Sequence, residues 1–362
     1  MNACYVHVPF CKDICSYCDF MRCRYHQGLA DKWLPCIKQE IDEKLVESNL
    51  VTCYIGGGTP SALDLTQLTQ LLQFMIPYTS RVMEYTMEAN IDSLTDDKLA
   101  IIKKNGINRI SLGVQTLQPA LLKRIQRNHD KATVIHAIQN IHKHGIHNIS
   151  IDLMYGLPDQ TMEQWQEDLT DAVKMDIQHI SLYALTIEEH SAFGREGVEA
   201  MDETLESEMY LYAIDYLEQQ GFEHYEISNF AKVGYTSKHN LMYWHYEDFA
   251  GIGCGASGKS HHRRYDNTKN LQTYFEIGAN SDTIELNKND ELFEAIMMGL
   301  RLKEGINLER FKTLYDVDVY EHFKAVIDDE IMNERLHLEG GNLKTTKTGM
   351  LLLHDVLIRF LD

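Results

Sequence analysis

Tyr5-Val-His-Val-Pro-Phe-Cys-Lys-Asp-Ile-Cys-Ser-Tyr-Cys-Asp-Phe20 runs from an apolar, β-rich stretch straight into a loop that carries three cysteines. Cys11, Cys15 and Cys18 place three thiolates on one short segment, where a soft metal can gather them. The spacing leaves two chemistries open. One is zinc completed by a fourth ligand from elsewhere, and the other is a four-iron cluster with one iron free to bind a small chelating ligand. Cys23 is the candidate fourth ligand, whereas Cys4, Cys36, Cys53 and Cys254 are scattered in the manner of small packing residues.

Outward from that loop, β-rich runs recur at 3–8, 51–56, 84–88, 109–115, 148–154 and 179–184. Helical stretches at 30–47, 66–76, 95–104, 131–144 and 161–175 separate them. Strands that alternate with helices predict an α/β fold with a parallel sheet. Within the runs, Val51, Cys53 and Ile55 oppose Thr52, Tyr54 and Gly56; Ile110, Leu112 and Val114 oppose Ser111, Gly113 and Gln115; Ile149, Ile151 and Leu153 oppose Ser150, Asp152 and Met154. Parallel strands buried on both faces read as unbroken apolar runs, and these do not. The face turned away from the helices therefore lines something polar, as the lumen of an open barrel holding a hydrophilic cofactor would.

The chemical groups fall at the C-terminal ends of these strands, which form the active face of βα barrels. Cys11 follows the first, Gly56-Gly-Gly-Thr-Pro60 the second, Glu88 ends the third, Gln115 the fourth, and Asp152 lies near the end of the fifth. The glycines let backbone groups approach a polar ligand closely. Glu88 and Asp152 can accept from an ammonium or from ribose hydroxyls, and Arg127 can meet a carboxylate in bidentate fashion.

The chain has 362 residues, enough for a large α/β unit with a smaller attachment, and a formal charge of −20. That charge argues against a nucleic-acid backbone or an anionic membrane as the main partner. The N-terminus lacks the apolar core of a signal peptide, and no stretch approaches a spanning helix. A cytoplasmic protein without stable membrane insertion is expected, with peripheral membrane contact left open. In a reducing compartment eight cysteines are no disulfide framework, which again points the clustered three toward metal.

The cysteine loop, Gly56–Pro60, Gly113-Val-Gln115, Arg127 and Ile151-Asp-Leu-Met-Tyr-Gly-Leu-Pro158 together resemble the radical S-adenosylmethionine (SAM) superfamily. The branch is that of oxygen-independent coproporphyrinogen III oxidase and its heme-chaperone relatives, and the likeness covers nearly the whole chain. The resemblance implies a partial (β/α)6 barrel and a [4Fe-4S] cluster on Cys11, Cys15 and Cys18, whose open iron is chelated by SAM for one-electron cleavage. It also implies that Tyr5, Gly57, Gly58, Thr59, Glu88, Gln115, Arg127 and Asp152 line the SAM sites. Three features favour the heme chaperones over the oxidase. Phe20 stands where the oxidase has a further cysteine, only ten residues precede Cys11, and His239-Asn-Leu-Met-Tyr-Trp244 matches the chaperones' H-N-x-x-Y-W signature. Heme, and heme-acceptor proteins such as respiratory enzymes, are then the implied ligand and partners. The rival readings are a radical enzyme acting on coproporphyrinogen, a radical methyltransferase, and a zinc-stabilised structural protein.

By these signals, residues 1–220 form the barrel and 221–285 a connecting segment on the barrel mouth. Residues 286–362 show helices near 291–300 and 308–314 and a hairpin at 336–347, and resemble the small winged-helix-like α+β C-terminal domain of the family. Heme is expected near 239–265, with His239 as axial ligand or ligand-orienting residue, the alternative being a satisfied histidine that holds the aromatic connection to the barrel. Tyr243 and Trp244 would cover a porphyrin face, and the basic run Lys259-Ser-His-His-Arg-Arg264 would meet the propionates. Gly251-Ile-Gly-Cys-Gly255 opens no βαβ unit and is not a dinucleotide fingerprint.

Overall fold

A computed structural model describes residues 1–361. Six parallel strands form its centre: β1 (Ala3–Val8), β2 (Thr52–Gly57), β3 (Glu84–Ala89), β4 (Arg109–Gln115), β5 (Asn148–Tyr155) and β6 (His179–Ala184). Each pairs with the next in sequence order, as successive right-handed βα units dictate. Their helices are α1 (Gln27–Leu45), α2 (Leu65–Thr79), α3 (Asp96–Lys104), α4 (Lys131–Lys143), α5 (Met162–Ala172) and α6 (Glu203–Gln219). Asp64, Asp130 and Thr161 start three of them with reciprocal capping boxes, which satisfy backbone donors that a helix start leaves open.

The apolar members of each strand, among them Val6, Ile55, Met87, Ile110, Ile151 and Ile180, pack against these helices in one continuous core. The opposite members line a polar lumen, as the alternation predicted. The architecture is the expected mixed α/β partial barrel.

The connecting segment differs from expectation. It extends the sheet at both edges instead of covering the barrel mouth. Strands β7 (Glu223–Glu226) and β8 (Asn229–Ala231) add antiparallel beside β6. At the other edge β9 (Phe249–Ile252) pairs parallel with β1, followed by the antiparallel run β10 (Ser257–Ser260), β11 (Arg263–Asp266) and β12 (Asp282–Glu285). The full order is β12-β11-β10-β9-β1-β2-β3-β4-β5-β6-β8-β7, a twelve-stranded open sheet.

Between the two edges, the short helix α7 (Lys238–Trp244) lies at the N-terminal ends of the strands, opposite the mouth. Glu84, at the start of β3, accepts the backbone N–H groups of Lys238 and His239, each at 3.0 Å. Residues 288–360 carry a second core around Ile296, Leu300, Phe311, Ile327 and Val356, with a small three-stranded sheet from 306–307, 336–339 and 342–345.

Candidate functional site

The cysteine loop is tied down at both ends. Phe10–Cys11 pairs with Cys23–Arg24 as a two-residue parallel ladder, the Cys23 amide donates to the Pro9 carbonyl, and the Tyr25 amide to that of Cys11. His7 reaches from β1 to the Met21 carbonyl at 2.8 Å, a further stitch on the same loop. The three thiols thus hang over the C-terminal ends of the strands on a fixed frame.

Below them lies a cavity of about 370 Å³, within the range of roughly 300–1,000 Å³ typical of small-molecule sites. Its wall includes Cys11, Cys15 and Cys18. Gly57, Gly58, Thr59, Glu88, Gln115, Arg127 and Asp152 line the same cavity. Each arrives by a distinct backbone device. At Gly58 an added Cβ would come within 2.9 Å of the Cys11 sulfur, and Gly57 has φ +108°, so glycine alone lets the β2 end pass beneath the loop. Gln115 has φ +67° at a register shift between Gly113 and Gln115, a bulge that turns its side chain into the cavity.

Two half-buried carboxylates face the lumen. Glu88 accepts from the Tyr54 hydroxyl at 2.8 Å and from the Gly57 amide at 3.1 Å. Burial nevertheless pushes its pKa up to about 7, with nearby Asp152 acting in the same direction. Asp152 accepts from Ser111 at 3.1 Å and is likewise raised by burial. Burial pushes the Cys11 thiol up to about 11, partly opposed by the Thr59 hydroxyl 3.6 Å away. A bound metal reverses that balance by taking the thiolate.

Arg127 is the clearest sign of a missing ligand. Its side chain is half-buried beside the Tyr17 hydroxyl, and its Nε, like those of Arg22 and Arg109, is buried without a hydrogen-bond partner. A buried cation left short of acceptors is costly, and a ligand carboxylate supplies them. The three thiols, the glycine cradle and this open cation fit a [4Fe-4S] cluster with SAM. Among the described residues, no three His, Cys, Asp or Glu side chains close on a single-ion site.

Two sequence-derived assignments fall elsewhere. Tyr5 lies below the cavity, with its hydroxyl 3.1 Å from His7 Nδ1, because His7 stands between it and the strand end. His239 is 1% exposed at the opposite end of the barrel. Its Nδ1 is 2.9 Å from the Thr52 hydroxyl, its Nε2 is 2.8 Å from that of Tyr243, and its ring stacks on Tyr54. Neither nitrogen is free for iron, and burial lowers its pKa to about 3, so the axial-ligand assignment is corrected to a structural one. The basic run is consumed as well. Lys259 and His261 pair with Asp248, His262 with Glu291, Arg263 with Glu285, and Arg264 with Glu294.

Sequence reasoning gave Asn90 and Tyr183 no role, and Tyr17 none beyond marking the cysteine loop, yet all three line the cavity. Tyr17 had a signal in its place between the last two cysteines, and Tyr183 one in the alternation of β6.

Comparison with known proteins gives the same outline. A model of the radical SAM superfamily matches residues 5–172, and one of the HemN C-terminal domain matches 286–352. The solved coproporphyrinogen III oxidase (HemN) from Escherichia coli superposes with a TM-score of 0.86 at 20% identity, covering 99% of this chain and 90% of that one. Fold and cavity define a radical SAM protein of HemN-like architecture. Heme chaperone HemW from Lactococcus lactis subsp. lactis (strain IL1403) is 35% identical over 99% of this chain and 97% of its own. That from Bacillus subtilis (strain 168) is 34% identical over 100% and 99%. The chain belongs to the HemW family. No described helix is long and apolar enough to cross a membrane.

Proposed function

We propose that this protein is a heme chaperone that carries a [4Fe-4S] cluster on Cys11, Cys15 and Cys18, binds SAM beside it, and passes heme to acceptor proteins such as respiratory enzymes. The observation that carries the cofactor half is the single cavity that gathers three thiols, the glycine cradle, Glu88 and the unpartnered Arg127 Nε. The heme half rests on the full-length relatives named as heme chaperones. A cluster here would supply single electrons to SAM. This chain's own residues do the holding: Arg127 offers its guanidinium to a carboxylate, Glu88 and Asp152 offer acceptors to an ammonium or to hydroxyls, and the glycine backbone comes close enough to fix the rest.

We read 1–220 as the barrel unit, 221–285 as its edge extensions and 286–362 as a C-terminal domain that offers a partner surface. The protein acts in the cytoplasm, without nucleic acid and without stable membrane insertion. Phe20 is 67% exposed at the rim of the cavity, at the position where the oxidase has its further cysteine, and this weighs against propionate decarboxylation. The test pairs a heme titration with an anaerobic coproporphyrinogen assay of the reduced, SAM-supplied protein. The expected result is stoichiometric heme binding with the porphyrinogen left tetracarboxylated. Steady dicarboxylated product together with 5'-deoxyadenosine would replace the chaperone reading with an oxidase.

A further inference from the structure

The stretch from 136 to 147 holds four histidines, His136, His142, His144 and His147, and the cofactor cavity uses none of them. His142 and His147 instead line a separate surface groove of about 640 Å³ between α4 and the segment that follows α5. Ile138 and Met175, both nearly buried, and Ile135, 36% exposed, contribute its apolar surface. Lys131 and Lys174 stand at its side and share one carboxylate, Asp171, at 2.6 and 3.6 Å.

The hydrogen bonds around the two histidines fix their tautomers. His142 Nε2 is 2.8 Å from the Asp176 carbonyl and 3.3 Å from the Asp176 carboxylate, both acceptors, so that nitrogen carries the proton. In the neutral ring His142 Nδ1 is then a bare acceptor, and the atom 3.1 Å from it is His147 Nδ1, which must donate. His147 Nε2 is left with its lone pair, on an exposed ring, and makes no hydrogen bond within the described residues. A metal-ligating histidine is normally oriented and made more basic by just such a bond from its other ring nitrogen.

We propose that heme docks in this groove, with His147 Nε2 as axial ligand to the iron, His142 as the residue that positions it, and the Lys131 and Lys174 ammonium groups toward the propionates. An apolar floor, an oriented imidazole and two cations, set in a groove that also carries the Asp171 and Asp176 carboxylates, are the elements offered to a porphyrin with an iron centre and an acidic edge. The proposal rests on the heme-chaperone reading and adds the site. It also separates the two cofactors. His147 immediately precedes β5 and Asp176 lies just before β6, so the groove is at the N-terminal ends of the strands, while the cysteine cavity is at their C-terminal ends. Heme held there is cargo, outside the reach of chemistry at the cluster.

Ferric heme and iron-free protoporphyrin IX are titrated into the full-length protein, followed by the Soret band and by the spin state in electron paramagnetic resonance. His147→Ala is expected to lose the histidine-ligated spectrum and to weaken heme binding at least about 10-fold. His142→Ala is expected to keep the ligation signature with affinity reduced about 10- to 100-fold, the usual effect of removing the partner that orients a ligand. Protoporphyrin IX should bind more weakly than heme and be indifferent to His147. His144→Ala, a nearby ring whose Nδ1 faces the Asn140 carbonyl, should behave as wild type. If wild type binds heme and His147→Ala binds it with the same spectrum and dissociation constant, this site is wrong and the chaperone reading stands. If wild type binds no heme, the chaperone reading itself falls.

Discussion

The same six strands present polar side chains at both ends of the barrel, and the two ends treat them in opposite ways. At the N-terminal end, Glu84 receives two backbone amides of α7, His239 bonds Thr52 and Tyr243, and His179 bonds Ser150 at 2.7 Å and Tyr225 at 2.8 Å. These groups satisfy one another, as buried polar groups in a structural position do, although the Arg109 Nε and the Thr86 hydroxyl in the same region are buried without a partner. At the C-terminal end, Arg127 keeps an unpartnered Nε, Glu88 is held near neutrality by burial, and glycines keep the wall free of side chains. Polarity alone therefore does not mark a site. Unmatched polarity on the wall of an open cavity does.

The largest effect expected from breaking the closed end comes from His239→Ala. It strands the Thr52 and Tyr243 hydroxyls, each worth about 1–3 kcal/mol as an unpaired group, so an overall loss of about 2–6 kcal/mol is expected. Urea unfolding reads this, and iron content per folded chain should be unchanged. A variant of wild-type stability would contradict the structural assignment.

At the open end the pattern reverses. Arg127→Ala is expected to leave the urea midpoint close to wild type and to raise the SAM dissociation constant about 10- to 100-fold, the worth of roughly 1.5–3 kcal/mol for a charged hydrogen bond. The readout is the SAM-induced change in the electron paramagnetic resonance spectrum of the reduced cluster. Unchanged affinity would return Arg127 to a purely structural role beside Tyr17.

A smaller effect sharpens the contrast through pH. Glu88 has its folded pKa raised from 4.5 to about 7, so between those values the native protein keeps a proton that the unfolded chain has released. Its contribution to stability is full on the acid side and declines as pH rises through about 7, by at most about 3 kcal/mol and, with water in the cavity, closer to ~1 kcal/mol. Comparison with Glu88→Gln isolates its share of the slope, which should be missing in the variant while the share of other raised carboxyls such as Asp168 remains. SAM affinity should move the other way, rising with pH through about 7 in wild type as the carboxylate ionises toward an ammonium, and flat in Glu88→Gln.

Much of the central barrel was legible because local pattern decides it. The run read as 109–115 is β4 itself, and 51–56 lies within one residue of β2, since alternation and the following helix signal fix both. The cavity was legible for the related reason that strand ends are where loops converge. The edge strands were not, because their partners are remote in sequence: Ala3 pairs with Phe249, and no local period announces that register. His239 misled for the same cause. Its neighbours Tyr243 and Trp244 suggested an open aromatic platform, but Thr52 and Glu84 close over it only in three dimensions. The basic run from Lys259 to Arg264 looked free in sequence, although its counter-charges lie at Asp248, Glu285, Glu291 and Glu294.

Anaerobic reconstitution of wild type beside Cys15→Ala tests the account most directly, by counting iron and acid-labile sulfide per chain and recording the reduced spectrum with and without SAM. The account predicts about four of each in wild type, a spectrum that SAM perturbs, and near-complete loss of the cluster in Cys15→Ala. Zinc in place of iron in wild type, or a full cluster retained in the variant, would contradict it.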